Sequence, residues 1–104
     1  MKTITNYREF SDNDSDDSLL DNIGHIIENK EKILKYLTKY DADTVLAHSA
    51  YDYVAKRNLH DSLMCYSDGT YLWTNEEVYH FSKYNLKLND TFIKYVLEIK
   101  NKKS

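Results

Sequence analysis

The histidines and the single cysteine are the first residues to consider for chemistry, because imidazole and thiolate groups bind zinc and act as bases or nucleophiles. They are His25, His48, His60, His80 and Cys65. No histidine lies in an HExxH pattern and the chain has no CxxC pair, so the spacing typical of a zinc site is missing. A small enzyme that uses a Cys65–His80 pair is one alternative, but a small buried hydrophobic residue is the simpler interpretation of Cys65.

Carboxylates are concentrated in one N-terminal stretch, which is the second candidate for chemistry. Residues 9–21 contain six acids and no lysine or arginine. Their Asp-rich centre, DNDSDD, resembles the front of a calcium-binding loop, but it lacks the glycine and the terminal glutamate that such a loop needs. The stretch would repel a polyanion, so it favours a basic protein partner over direct binding of nucleic acid.

The totals predict one domain with no membrane span. The chain has 104 residues, a net charge of −3 and no long apolar run. We expect residues 1–17 to form an acidic N-terminal arm or loop and residues 100–104 to form a frayed tail. A cytoplasmic location is expected, because the N-terminus lacks the apolar segment of a signal peptide and a single cysteine suits a reducing compartment. Ten tyrosines against three phenylalanines favour contact surfaces with a polar edge.

The pattern of elements predicts a mainly α fold of about four helices with one two-stranded antiparallel β-hairpin at residues 63–74. Asp68-Gly69 readily adopts the positive φ angles of a two-residue turn, which would place Tyr66 opposite Tyr71. Residues 74–77 have the pattern of a capping box and predict a helix from Asn75 to about Tyr84.

The spacing of apolar residues at three- and four-residue steps predicts the other helices. The first is expected at about residues 17–40, with Ile26 on its inner face. Gly24 lies inside this pattern, where it either allows a close approach by another backbone or marks a break into two helices. The second is expected at about residues 44–57. The last follows Asn89 and carries its apolar residues between positions 92 and 99.

The second half of the chain resembles a group of small bacterial immunity proteins over about residues 59–97. These proteins have a D-G-x-x-x-W segment, a helix with a tyrosine, and a K/R-Y-x-x-x-L step into a terminal helix. The matching residues here are the segment 67–74, SDGTYLWT, followed by Tyr79, Lys83, Tyr84, Leu86, Leu88, Phe92 and Ile93. The proline that usually follows the leucine is replaced by Asn89. The resemblance implies a non-enzymatic inhibitor of a polymorphic toxin, such as the nuclease domains delivered in contact-dependent growth inhibition.

We therefore expect the chain to bind the C-terminal domain of a cognate toxin and to occlude its active site. The toxin is expected to be a basic nuclease, either a DNase or a tRNase, and no cofactor, metal, membrane or direct nucleic-acid contact is expected. Opposite charges speed the encounter and aromatic anchors add affinity, so the toxin-binding candidates are Asp14, Asp16, Asp17, Asp21, Glu28, Tyr36, Tyr40, Tyr51 and Asp52. An alternative is a phage- or plasmid-encoded acidic inhibitor that mimics nucleic acid and binds a protein outside the toxin system.

Overall fold

The computed structural model describes residues 2–102, and the side chains of residues 2–98. The elements in chain order are β1 (Lys2–Thr3), α1 (Arg8–Ser11), a 3-10 turn (Leu19–Asp21), α2 (Lys30–Thr38), β2 (Thr44–Asp52), β3 (Arg57–Ser67), β4 (Tyr71–Thr74), α3 (Asn75–Tyr84) and α4 (Asp90–Lys102). Of the predicted frayed tail, Lys103 and Ser104 lie outside the described residues.

The fold is α+β, so the prediction of a mainly α, helical domain with one two-stranded hairpin is wrong. A four-stranded mixed sheet runs in the order β1-β4-β3-β2, with β1 parallel to β4 and the other neighbours antiparallel. The described helices pack beside this sheet.

The predicted second helix at residues 44–57 is instead strand β2 and the turn that follows it. Its β-branched and aromatic residues fit a strand as well as a helix, and pairing with β3 selects the strand. Asp52 ends the strand, because its Oδ1 accepts hydrogen bonds from the amides of Val54 (2.9 Å) and Ala55 (2.8 Å). Lys56 then adopts a positive φ of 57°, which a right-handed helix does not allow.

The predicted first helix at residues 17–40 is also wrong, because residues 22–29 form a loop between the 3-10 turn and α2. Gly24 has a φ of +74° and Asn29 a φ of +59°. Both values lie in the left-handed region that interrupts a right-handed helix. The amide of Gly24 donates to the carbonyl of Tyr84 at 2.8 Å, so the backbone of this loop bonds to the end of α3 rather than to itself.

The hairpin is present as β3 and β4, but its register differs from the predicted one. Tyr66 lies opposite Trp73, and the turn is at Gly69 and Thr70. The cause is the Asp68 carboxylate, which accepts from the amides of Thr70 (2.8 Å) and Tyr71 (2.7 Å). A shift of two residues keeps every side chain on its own face of the sheet.

Helix α3 begins and ends where the sequence predicts. Thr74 and Glu77 form a capping box at its start, and Asn85 ends it in the left-handed conformation. The main core lies between this helix, α2, α4 and the sheet, around the fully buried Trp73, whose indole N–H donates to the carbonyl of Leu37 at 3.2 Å. The N-terminal segment joins this core through the buried Ile4.

Candidate protein-binding surface

The residues that carry the family resemblance hold the fold together. Trp73, Leu88 and Phe92 are buried in the main core. Asp68 organises the hairpin turn and also accepts a hydrogen bond from the hydroxyl of Tyr36. The buried Trp73, Leu88 and Phe92 are therefore not themselves available to a partner.

Asp52, at the end of β2, is a fully buried carboxylate. Its Oδ2 accepts from the hydroxyls of Tyr79 (2.7 Å) and Tyr84 (2.6 Å), while Oδ1 accepts the two amides of the turn. Burial acts to raise the pKa of the Asp52 carboxyl, but these four donors outweigh it and hold the pKa well below its ordinary value. Asp52 is thus an ionised anchor between β2 and α3.

His80 lies beside this carboxylate and is equally buried. Its Nδ1–H donates to the carbonyl of Glu76 at 2.7 Å, and its Nε2 accepts from the amide of Tyr53 at 3.1 Å. We assign the neutral ring with the proton on Nδ1, because Nε2 already accepts an amide hydrogen. Burial lowers the pKa of His80. Since backbone groups occupy both ring nitrogens, His80 does not serve Cys65 as a base.

Glu77 is a second buried acid, held at the start of α3. Its Oε1 accepts from the amide of Thr74 at 3.0 Å, and its Oε2 accepts from the hydroxyl of Thr5. Burial raises the pKa of Glu77 to about 7. Within the described residues, every buried side-chain nitrogen and oxygen has a hydrogen-bond partner, and no group of three or more metal-ligating side chains is present.

The loop at residues 22–29 presents an apolar side chain to solvent. Ile26 is 96% exposed, while its neighbours Ile23 and Ile27 pack against the two core clusters. The loop is attached to the end of α3 and the residues after it by three backbone hydrogen bonds: Gly24 N–H to Tyr84 C=O, His25 N–H to Asn85 C=O, and Lys87 N–H to Asn22 C=O.

Two neighbouring depressions place carboxylates around this loop. One, of about 230 Å³, is lined by Ile26, Glu28 and Ile93 together with Lys87 and Asp90. The other, also about 230 Å³, is lined by Asp17 and shares Lys87 and Asp90 with the first. The two form one continuous surface, which we call the Ile26 face: Asp17, Ile26, Glu28, Lys87, Asp90 and Ile93.

The nine toxin-binding candidates are distributed over the whole molecule. Asp14, Asp17, Asp21 and Glu28 are exposed, and Asp16 is half-buried against the hydroxyl of Ser11. Tyr40 and Tyr51 are half-buried, and Tyr36 and Asp52 are buried.

The structure brings only some of these candidates together. Of the nine, Asp17 and Glu28 line the Ile26 face. Tyr40 instead lines a depression with Tyr66, and the Tyr51 ring packs on Tyr53 with 5.0 Å between ring centres.

The sequence interpretation missed Ile26 and Asp90 as candidates for contact. Ile26 matches the apolar spacing of a continuous helix, which predicts that its side chain lies on the inner face of that helix. The signal that argues otherwise is the pair Gly24 and Asn29 on either side of it, since these residue types adopt positive φ most readily. Asp90 carries no such signal.

Within the described part of the chain, no helix has the length and apolar character needed to cross a membrane. Comparison with known proteins gives no relatives: no family model, no curated protein and no solved structure matches this chain.

Proposed function

We propose that this chain is an immunity protein that binds the C-terminal domain of a cognate bacterial toxin and neutralises it by occluding its active site. The toxin is a basic nuclease that acts on DNA or tRNA, and the inhibition takes place in the bacterial cytoplasm. The resemblance of residues 59–97 to small immunity proteins is the starting point of the proposal, and the character of the surface supports it.

The observation that carries the proposal is the set of exposed carboxylates without cationic partners. Among the described side chains, the only ion pair between a lysine or arginine and a carboxylate is Lys94–Glu98, at 4.0 Å. Among the side chains that the structure describes (residues 2–98), no lysine or arginine therefore lies within 4.0 Å of Asp14, Asp17, Asp21 or Glu28. The buried acids, in contrast, are fully satisfied by the protein itself. Residues 9–28 contain no lysine or arginine, so the charge that this stretch offers to a partner is negative.

A nuclease is the natural complement to such a surface. Its active site must hold a phosphate backbone, so it is lined with basic residues. A carboxylate-rich protein approaches that site faster than a neutral one would, and it excludes the substrate once bound.

The test is co-expression of this chain with the toxin domain encoded by the neighbouring gene. We expect the chain to restore growth and to purify with the toxin domain as a stoichiometric complex whose affinity falls with added salt. A toxin domain from an unrelated system should remain lethal in the same cells. If the cognate toxin domain still kills cells that contain folded protein, the proposed function is wrong.

A further inference from the structure

Ile26 is the most exposed of the large hydrophobic side chains among the described residues. Three large hydrophobic side chains are exposed among the described residues: Ile26 at 96%, Val45 at 61% and Leu20 at 46%. A single exposed aliphatic residue is ordinary on a protein surface. Ile26 differs from the other two in the attachment of its loop and in the charges around it.

The loop holds Ile26 in one position before any partner arrives. Its backbone bonds to the end of α3 through Gly24 and His25 (2.8 Å and 3.3 Å), and the flanking residues Ile23 and Ile27 are packed into the two core clusters. Lys30 fixes the far end of the loop, because its Nζ donates to the carbonyl of Ser82 at 2.8 Å. A side chain presented in this way loses little conformational entropy on binding, so most of the gain from its burial appears as affinity.

The charges around Ile26 define what kind of surface can cover it. Glu28 and Asp90 line the same depression as Ile26, and Asp17 lies in the depression next to it. Lys87 is the one lysine or arginine lining these two depressions, and none of the three carboxylates pairs with a cation within 4.0 Å among the described residues. The rim of the face is therefore acidic, with an apolar centre.

We propose that Ile26 is the apolar anchor of the toxin contact. It enters an apolar socket on the toxin domain, while arginine or lysine side chains around that socket pair with Asp17, Glu28 and Asp90. An aliphatic part of such a basic side chain fits the depression beside Ile93. This inference rests on the proposed function, because it assigns the contact surface for that same partner.

A second copy of this chain is a poorer occupant of the same surface. A two-fold contact through the Ile26 face would bring Glu28 and Asp90 of one copy against the same acidic rim of the other, and like charges at close range oppose association. A basic domain with an apolar socket satisfies both parts of the face.

The test compares two matched substitutions of exposed apolar residues. Ile26→Ser removes the proposed anchor, and Val45→Ser removes an exposed aliphatic side chain on β2 that lies outside the Ile26 face. Binding of each purified variant to the neighbouring gene's toxin domain is measured by calorimetry, and folding by urea denaturation. We expect Ile26→Ser to raise Kd by at least about tenfold, mostly through faster dissociation, and Val45→Ser to change it by less than about twofold.

The charged rim is tested with the neutral double variant Glu28→Gln, Asp90→Asn. We expect slower association and a weaker dependence of Kd on salt than in the wild type. If wild type and Ile26→Ser bind the toxin domain equally tightly, the anchor is wrong while the proposed function stands. If the wild type itself does not bind, the proposed function fails and the anchor with it. A dimer of the free protein that Ile26→Ser dissolves would also overturn the assignment.

Discussion

The buried acid at the start of α3 makes a quantitative prediction about stability. Burial raises the pKa of Glu77 from an ordinary value of 4.5 to about 7. The folded protein therefore binds a proton more readily than the unfolded chain between these two pH values. The stability that protonated Glu77 contributes is fully present below pH 4.5 and is lost as the pH rises through 7. With about 1.4 kcal/mol for each pKa unit, the full loss is about 3 kcal/mol.

Glu77→Gln isolates this effect, because glutamine has nearly the same shape and does not ionise. Its carbonyl oxygen can accept from the amide of Thr74, and its NH2 group can donate to the hydroxyl of Thr5. We expect the two proteins to differ little in free energy of unfolding at pH 5. At pH 8 the glutamine variant should be more stable by about 2 to 3 kcal/mol. Glu76 also has a raised pKa because of burial, and its charge adds to the rise in the pKa of Glu77, so the comparison measures Glu77 with Glu76 beside it.

The measurement is urea unfolding of both proteins between pH 5 and pH 8. The matched control is Glu98→Gln, which removes an exposed glutamate from the surface pair Lys94–Glu98 (4.0 Å). It should change stability by less than about 1 kcal/mol, and equally at both pH values. Parallel curves for wild type and Glu77→Gln across this range would show that Glu77 is ionised in the folded protein at little cost, and would refute the reasoning.

Two further substitutions test the anchors of the fold. Asp52→Asn should lower the free energy of unfolding at pH 7 by about 2 to 3 kcal/mol, because the hydroxyls of Tyr79 and Tyr84 lose a charged acceptor. Urea unfolding at pH 7 measures the difference, and a variant as stable as the wild type would contradict the prediction. Gly69→Ala should lower the free energy of unfolding, measured by thermal denaturation, by about 1 kcal/mol. The φ of +94° disfavours any side chain, although nothing lies within 4 Å of the added Cβ. An unchanged melting temperature would show that the turn relaxes.

The hairpin and the helix after it could be predicted because their signals are local. A turn close to Gly69 and a cap at Thr74 with Glu77 each depend on residues within a few positions of one another. The exact hairpin register was not predictable from the turn preference alone, since it depends on which amides the Asp68 carboxylate accepts from.

The two wrong helices have a common physical cause. Apolar residues in 17–40 and 44–57 recur at steps that suit one face of a helix, yet short apolar segments also suit a strand. Pairing with β3 makes residues 44–52 a strand. Hydrogen bonds to the end of α3 hold residues 22–29 as a loop. The end of α3 lies about 60 residues beyond the loop (Gly24 N–H to Tyr84 C=O), so the local pattern contains no trace of it. Strand β3 follows β2 directly after the turn at residues 53–56, but the apolar spacing of residues 44–57 fits a helix as well as a strand.

The candidate site was only partly predictable for the same reason. Acidic residues near the N-terminus are expected at a surface, and Asp17 and Glu28 are exposed there. Asp52 looked like another surface carboxylate, because the tyrosines that enclose it are 27 and 32 residues further along the chain. Ile26 became a candidate only when the loop that carries it was known.

Hydrogen exchange on the complex with the toxin domain reports which surface the partner covers. We propose that it covers the loop at residues 22–29 and the acidic residues beside it. We predict that toxin binding slows exchange at the amides of residues 25–28 and around Asp17 and Asp90, while the exposed half of β2 exchanges as in the free protein. Protection confined to β2 and β3, with residues 25–28 unchanged, would contradict the account.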